Sequence, residues 1–153
     1  FNRAGDLALR AGDVPRAVTY YERAVDLYAA GGLLNNAIAL CNKILRHAPD
    51  QVAAHYSLGV LHAKQGFRGD ARVHFIEYAE RMHRGGRDEE ALRALRELAE
   101  LCAPGDDVRA LLAQHLARTG RGGAGAASLQ TILDDAGVAG AAPAPTRPVD
   151  APA

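Results

Sequence analysis

A repeat of 54 residues constrains this chain more than any other feature: Gly12, Gly66 and Gly120 are evenly spaced by that step, and Gly31-Gly32 recurs as Gly85-Gly86. Gly5 and Gly59, Leu7 and Leu61, Ala17 and Ala71, and Ala37 and Ala91 keep the same interval. Periods of this size belong to stacked arrays, in which one supersecondary unit cannot bury its apolar face alone and its neighbours cover it. The unit is present once in full, once almost in full and once in part, with no insertion through about residue 133.

Within each unit, apolar residues recur at three- and four-residue spacing between Gly, Pro and Asp, which is the pattern of amphipathic helices. It predicts helices at 2–11, 14–30, 34–47, 51–65, 69–84, 88–102, 106–119 and 124–135. Asp13, Asp50, Asp70, Asp88 and Asp106 mark the starts, because a carboxylate accepts the orphan N–H groups of a first turn. Gly12, Gly31, Gly66, Gly85 and Gly120 mark the ends, since glycine takes the left-handed cap at little cost. Pro49 and Pro104 close helices in a similar way. The loops hold only a few residues, so consecutive helices are expected to pack as antiparallel neighbours. Composition agrees: 48% of residues are hydrophobic but only 5% aromatic, with no Trp. Ala and Leu therefore carry the apolar content, which disfavours a strand-rich sandwich or barrel.

The sequence divides into a helical array at 1–136 and a tail at 137–153, where Gly, Ala and four of the seven prolines concentrate. Such a tail buries too little apolar area to offset its ordering entropy and reads as a disordered or extended linker. The chain opens Phe1-Asn2-Arg3 rather than with Met and is read as a portion of a longer protein. Lys+Arg and Asp+Glu number 18 each, giving zero net charge. Nucleic-acid and anionic-membrane binders concentrate positive charge, so neither partner is expected. No run approaches the ~18 apolar residues of a membrane span. Cys41 and Cys102 lie far apart on apolar helical faces and read as small buried hydrophobes in a reducing, cytoplasmic setting.

The motifs resemble those of the tetratricopeptide repeat (TPR) family, whose unit of about 34 residues pairs two helices. Leu58-Gly59 supplies the Leu-Gly pair of the first helix, and Ala71 and Phe75 the small and aromatic positions of the second. Ala37, Cys41, Ile44 and Pro49 match the second half of another copy, and Ala37 to Ala71 is a 34-residue step. Phe1, Ala4-Gly5, Ala8, Ala17, Tyr21 and Ala24 form the first copy, and Leu112-Ala113, Leu116, Gly125, Leu129 and Ile132 a later one. The resemblance covers residues 1 to about 133 and implies an all-α fold of antiparallel helix-turn-helix repeats in a right-handed solenoid. His55 and His62 replace two aromatic positions of the family pattern. Ala17 to Ala37 and Ala71 to Ala91 are 20-residue steps, so the motifs overlap and each 54-residue unit holds three helices. An odd number leaves open which helices line the concave face. Small residues at Gly5 and Gly59 are expected to face Ala17 and Ala71, with Tyr21 and Phe75 filling the gap to the next helix.

Little in the chain points to chemistry. His55 and His62 are seven residues apart, about 10 Å along a helix, too far for one metal ion. They read as packed or half-buried histidines, and His47, His74, His83 and His115 group with no Asp or Glu at metal spacing. Ser57 and Ser128 are the only serines and neither sits in a nucleophile elbow. Gly120-Arg121-Gly122-Gly123-Ala124-Gly125 lacks the Lys-Ser/Thr ending of a phosphate loop and reads as a turn. Arg81, His83, Arg84 and Arg87, followed by Asp88-Glu89-Glu90, read as charges that complement two helix ends. Tyr20, Tyr21 and Tyr28 read as a packing stripe. No catalytic, cofactor or metal residue is assigned, and no enzyme is expected.

The TPR resemblance implies a non-catalytic scaffold that presents a groove to a peptide or helix of another protein. Carried over by register, the groove falls at Asn2, Arg3, Asp6 and Arg10, at Tyr56, Val60 and Lys64, and at Gln114 and Arg118. Two further expectations stand beside it. One is self-association through an uncapped C-terminal helix around Leu111, Leu112 and Leu116, and the other is a regulatory domain tethered within a larger protein.

Overall fold

The computed structural model describes residues 1–101, which hold six helices and no strand: α1 (Asn2–Arg10), α2 (Val14–Ala30), α3 (Leu34–His47), α4 (Val52–Lys64), α5 (Arg68–Arg84) and α6 (Asp88–Leu101). The sequence period is a backbone period. Both α2 with α5 and α3 with α6 begin and end 54 residues apart, and α1 and α4 end 54 apart. The helices predicted at 106–119 and 124–135, the tail from 137, and with them Gln114, Arg118, Cys102 and the Leu111 to Leu116 face, lie outside the described residues.

Each helix packs on its neighbours in sequence, and α4 also touches α6. Two apolar clusters result. One joins Ala8, Ala17, Tyr21, Val25, Ala37, Cys41 and Ile44 and draws in Ala54, Leu58 and Leu61 from α4. The other joins Ala71, Phe75, Ala79, Ala91, Leu95 and Leu98, with Val52, Tyr56, Val60 and Ala63 of α4 against it. α4 is thus apolar on two stripes and forms the seam between the units, as a helix enclosed on both sides must.

Close helix contact rests on two glycines. A Cβ on Gly5 would lie 2.4 Å from Cε1 of Tyr21, and one on Gly59 2.9 Å from Cδ2 of Phe75. Here the structure refines the sequence reading: the rings of Tyr21 and Phe75 fill the notches at Gly5 and Gly59 themselves. Both rings are fully buried.

The helix ends correct two expectations. Asp13 caps α2, with Arg16 N donating to its Oδ1 at 3.0 Å, but Asp50 and Asp70 cap nothing. α4 follows Gln51 and α5 follows Phe67, neither with a side-chain cap, because each loop closes through backbone bonds such as Phe67 N to His62 O at 2.9 Å. Asp70 and Asp88 instead sit in first turns, where their charge favours the helix dipole. In each Gly-Gly pair the left-handed residue is the second. Gly32 and Gly86 have φ of 74° and 73°, whereas Gly31 and Gly85 have φ near −80°, at −81° and −82°. Gly12 and Gly66 hold positive φ as expected.

Candidate functional site

Asn2, Asp6 and Arg10 are spaced by four on α1, so they share one helical face. α2 and α3 complete the site beside it. The Tyr21 hydroxyl, brought to α1 by the Gly5 notch, donates to Asp6 Oδ1 at 2.6 Å, and Lys43 of α3 pairs with the same oxygen. Lys43 also lies over the Tyr21 ring, 4.7 Å from its centroid. Hydrogen bonds from Lys43 and Tyr21 hold the Asp6 carboxyl below the usual carboxylate range. Asp6 raises the Lys43 ammonium in turn. Beside this trio lies a depression of about 400 Å³ lined by Asn2, Tyr28, Asn35, Asn36, Leu40 and Lys43, among others. Asn2 Oδ1 is buried there with no hydrogen-bond partner.

The matching face of the second unit is built differently. Tyr56 stands where Asn2 does one period earlier, Val60 where Asp6 does, Phe75 where Tyr21 does and Glu97 where Lys43 does. The Tyr56 hydroxyl donates to Glu97 Oε2 at 2.5 Å, tying α4 to α6. Burial, then Glu97, pushes the Tyr56 phenol up to about 12. The Tyr56 ring also meets Phe75 edge-on at 5.7 Å and Tyr78 at 5.3 Å. Val60 is half-buried against the second cluster.

The structure therefore gathers Asn2 and Asp6 into one polar site and Tyr56 and Val60 into one aromatic patch. Arg3 and Lys64 are exposed and take no part in either, and the exposed Arg10 adds only its charge, which helps to hold the Asp6 carboxyl low. The sequence reading missed Tyr28, Asn35, Asn36 and Lys43, because the parity of the inward helices was open. The signal was present: Lys43 and Glu97 are charges one period apart, on helices whose apolar stripe is otherwise preserved at Ala37 and Ala91, Cys41 and Leu95, and Ile44 and Leu98.

The histidines also group in a way that the sequence did not reveal. His74 of α5 stacks on His62 with ring centroids 5.5 Å apart and 4° between planes, and its Nδ1 lies 3.3 Å from His55 Nδ1. Burial keeps His55 and His74 less basic than a free imidazole, with Arg81 adding to the effect at His55 and the neighbouring imidazoles at His74. Among the described residues no group of three or more His, Cys, Asp or Glu is placed to hold a metal ion. The basic stretch is engaged within the chain. Arg81 donates to Glu77 Oε1 at 2.6 Å and to the Pro49 carbonyl at 2.8 Å, Arg87 pairs with Glu90 at 2.9 Å, and His83 Nδ1 lies 2.5 Å from Asp88. Burial, followed by Asp26 and Glu22, pushes the Cys41 thiol up to about 12, so it is no nucleophile. Tyr20 and Tyr28 pack against the first cluster as expected of a packing stripe. No described helix is long and apolar enough to cross a membrane.

Comparison with known proteins gives no match: no family model, no curated protein and no solved structure aligns with this chain.

Proposed function

We propose that the chain is a non-catalytic protein-interaction scaffold of tetratricopeptide-like helical repeats, stacked as a solenoid. It takes a peptide or helix of a partner on the face shared by α1 and α3. The observation that carries this reading is the depression at Asn2, Asn36 and Lys43. Its side-chain amides offer both donors and acceptors, and one acceptor, Asn2 Oδ1, is left unmatched by the fold. The Asp6–Lys43 pair supplies both charge signs at the rim, which suits a mixed-charge segment better than a uniformly acidic one. The helices hold these groups in place before binding, which keeps the ordering cost on the partner's side.

Selection of a displayed random-peptide library on the full chain, followed by fluorescence-polarisation titration of the selected peptides, tests the reading. Asn2→Ala together with Lys43→Ala is expected to weaken them at least tenfold, about 1.4 kcal/mol. Equal affinity for parent and variant would place binding on another surface and sink the proposal.

A further inference from the structure

The second unit carries three histidines that the first unit lacks, and they bracket the close contact between α4 and α5. His55, Gly59 and His62 follow one another at spacings of four and three, so they lie along one stripe of α4. The Phe75 ring fills the Gly59 notch on that stripe, and His74, its neighbour in sequence, reaches both histidines. His74 Nδ1 lies 3.3 Å from His55 Nδ1, and its ring lies 4° from parallel to His62, with centroids 5.5 Å apart. His62 Nδ1 is buried with no hydrogen-bond partner. One period earlier the same three positions are Phe1, Ala8 and Tyr20, around the Gly5 notch that Tyr21 fills. None of those residues titrates near neutral pH.

This packing requires neutral rings. A hydrogen bond between two imidazole nitrogens needs one of them as acceptor, and with protons on both His55 and His74 the two Nδ1 atoms become facing donors. Charges on those rings would lie 5.6 Å apart by centroids, and a charge on His62 would lie 5.5 Å from His74. Repulsion at that range is stronger inside a fold than in water. Arg81 of α5 also opposes a proton on His55, whereas Glu77 favours one on both His55 and His74, and Asp70 one on His74. Glu77 is already tied to Arg81 by an ion pair. From the other elements, α6 meets α4 at Tyr56 through Glu97, which the phenol engages, and α3 meets it at Gln65 through the neutral Asn35.

We propose that the α4/α5 contact is a proton-operated latch, closed by neutral imidazoles and opened in mildly acidic solution while the first unit stays packed. Leu58 and Leu61 keep α4 on the first cluster, so α5 is the helix that is released. Opening bares Phe75 and the Gly59 notch, apolar surface that the closed form buries. Burial makes His55 and His74 less basic in the closed form, so the solvated rings of the open form take up more protons. Opening therefore grows as the pH falls below about 6.5.

Hydrogen–deuterium exchange of the full chain at pH 7.5 and 5.5, read by mass spectrometry and converted to protection factors, compares the two units directly. A helix released from its neighbours is marginal in water, so its amides exchange. Amides of α5 are expected to lose about tenfold in protection at pH 5.5, and those of α2, its counterpart, less than about threefold. The triple variant His55→Phe, His62→Ala and His74→Tyr installs the first unit's residues, and its α5 is expected to keep its protection at both pH values. His74→Gln keeps a hydrogen-bonding side chain that cannot take up a proton, and it is expected to shrink the loss at least by about half. It serves alone if circular dichroism at pH 7.5 shows the triple variant misfolded. Unchanged protection of α5 in the parent, an equal loss in α2 and α5, or the full parental loss in His74→Gln overturns the proposal. The α1/α3 face holds none of these histidines, so its reading stands or falls separately, on the Asn2 and Lys43 variants.

Discussion

The units α1–α3 and α4–α6 share one backbone and differ in what they place on it. At the register of residues 6, 21 and 43 the first unit sets Asp, Tyr and Lys, joined by a hydrogen bond and an ion pair, where the second sets Val, Phe and Glu. At the register of residues 1, 8 and 20 the first has Phe, Ala and Tyr, where the second has three histidines. The ring pair survives the exchange: Phe1 stacks on Tyr20 at 6.5 Å, and His55 faces His74 at 5.6 Å. The glycine notch, the small positions and the left-handed glycines are shared, so they specify the scaffold. The residues that differ are free to specify what each unit does.

The widest contrast is at Leu7 and Leu61, identical residues at one register with opposite burial. Leu61→Ala is expected to cost about 2–5 kcal/mol, and Leu7→Ala less than about 0.5 kcal/mol, in urea unfolding. Similar losses at both positions would mean that a further segment covers α1. Next come the notches. Gly5→Ala and Gly59→Ala should each destabilise by about 1–3 kcal/mol, with Gly5 the worse because its added Cβ meets Tyr21 at 2.4 Å against 2.9 Å at Phe75. A reversed order in thermal melts would show that the Tyr21 ring yields more easily than Phe75.

Smaller still, Tyr21→Phe converts the first unit toward the second. It keeps the ring in its notch and removes the hydroxyl donor to Asp6, at an expected cost of about 1 kcal/mol. Lys43 stays on Asp6, so a loss as large as the notch variants would contradict the geometry. The finest test uses pH. His55 and His74 bind protons less readily folded than unfolded, facing each other, His62 and Arg81, with Glu77 and Asp70 opposing. Stability from this cluster is therefore complete above about pH 6.5 and falls as pH drops below it, because the unfolded chain takes up more protons there. Asp6, Glu77 and Glu90 are held below their ordinary values, so their contribution is lost only in more acidic solution. A lower urea midpoint at pH 5.5 than at pH 7.5 is expected, and His74→Tyr, the first unit's residue, should shrink the difference. An unchanged difference would place the titration outside the cluster.

Much of the fold was legible before any coordinates. The six helices fall within one residue or so of the boundaries that spacing and punctuation predict. That works because an amphipathic stripe and a left-handed glycine are local properties. Capping was less legible: Asp50 and Asp70 have the right chemistry, but the loops at Gln51 and Phe67 close through backbone bonds first. The candidate site was half legible. Asn2, Asp6, Tyr56 and Val60 follow from register along one helix, whereas Lys43, Asn36 and Glu97 sit on α3 and α6 and join them only through packing across α2 and α5. His74 escaped for the same reason, since its partners lie on another helix, 12 and 19 residues away in sequence.

By itself, then, the sequence determined the period, the helices and the positions where only a small residue fits. Those depend on spacing along one chain and on backbone sterics, both of which a linear text carries. The tertiary structure decided which side chains meet. Asp6 finds Lys43, Tyr56 finds Glu97, and Leu61 is covered while Leu7 stands open. Such pairings depend on the angle and offset at which two helices pack, quantities set by the whole interface and not by any one stretch of residues.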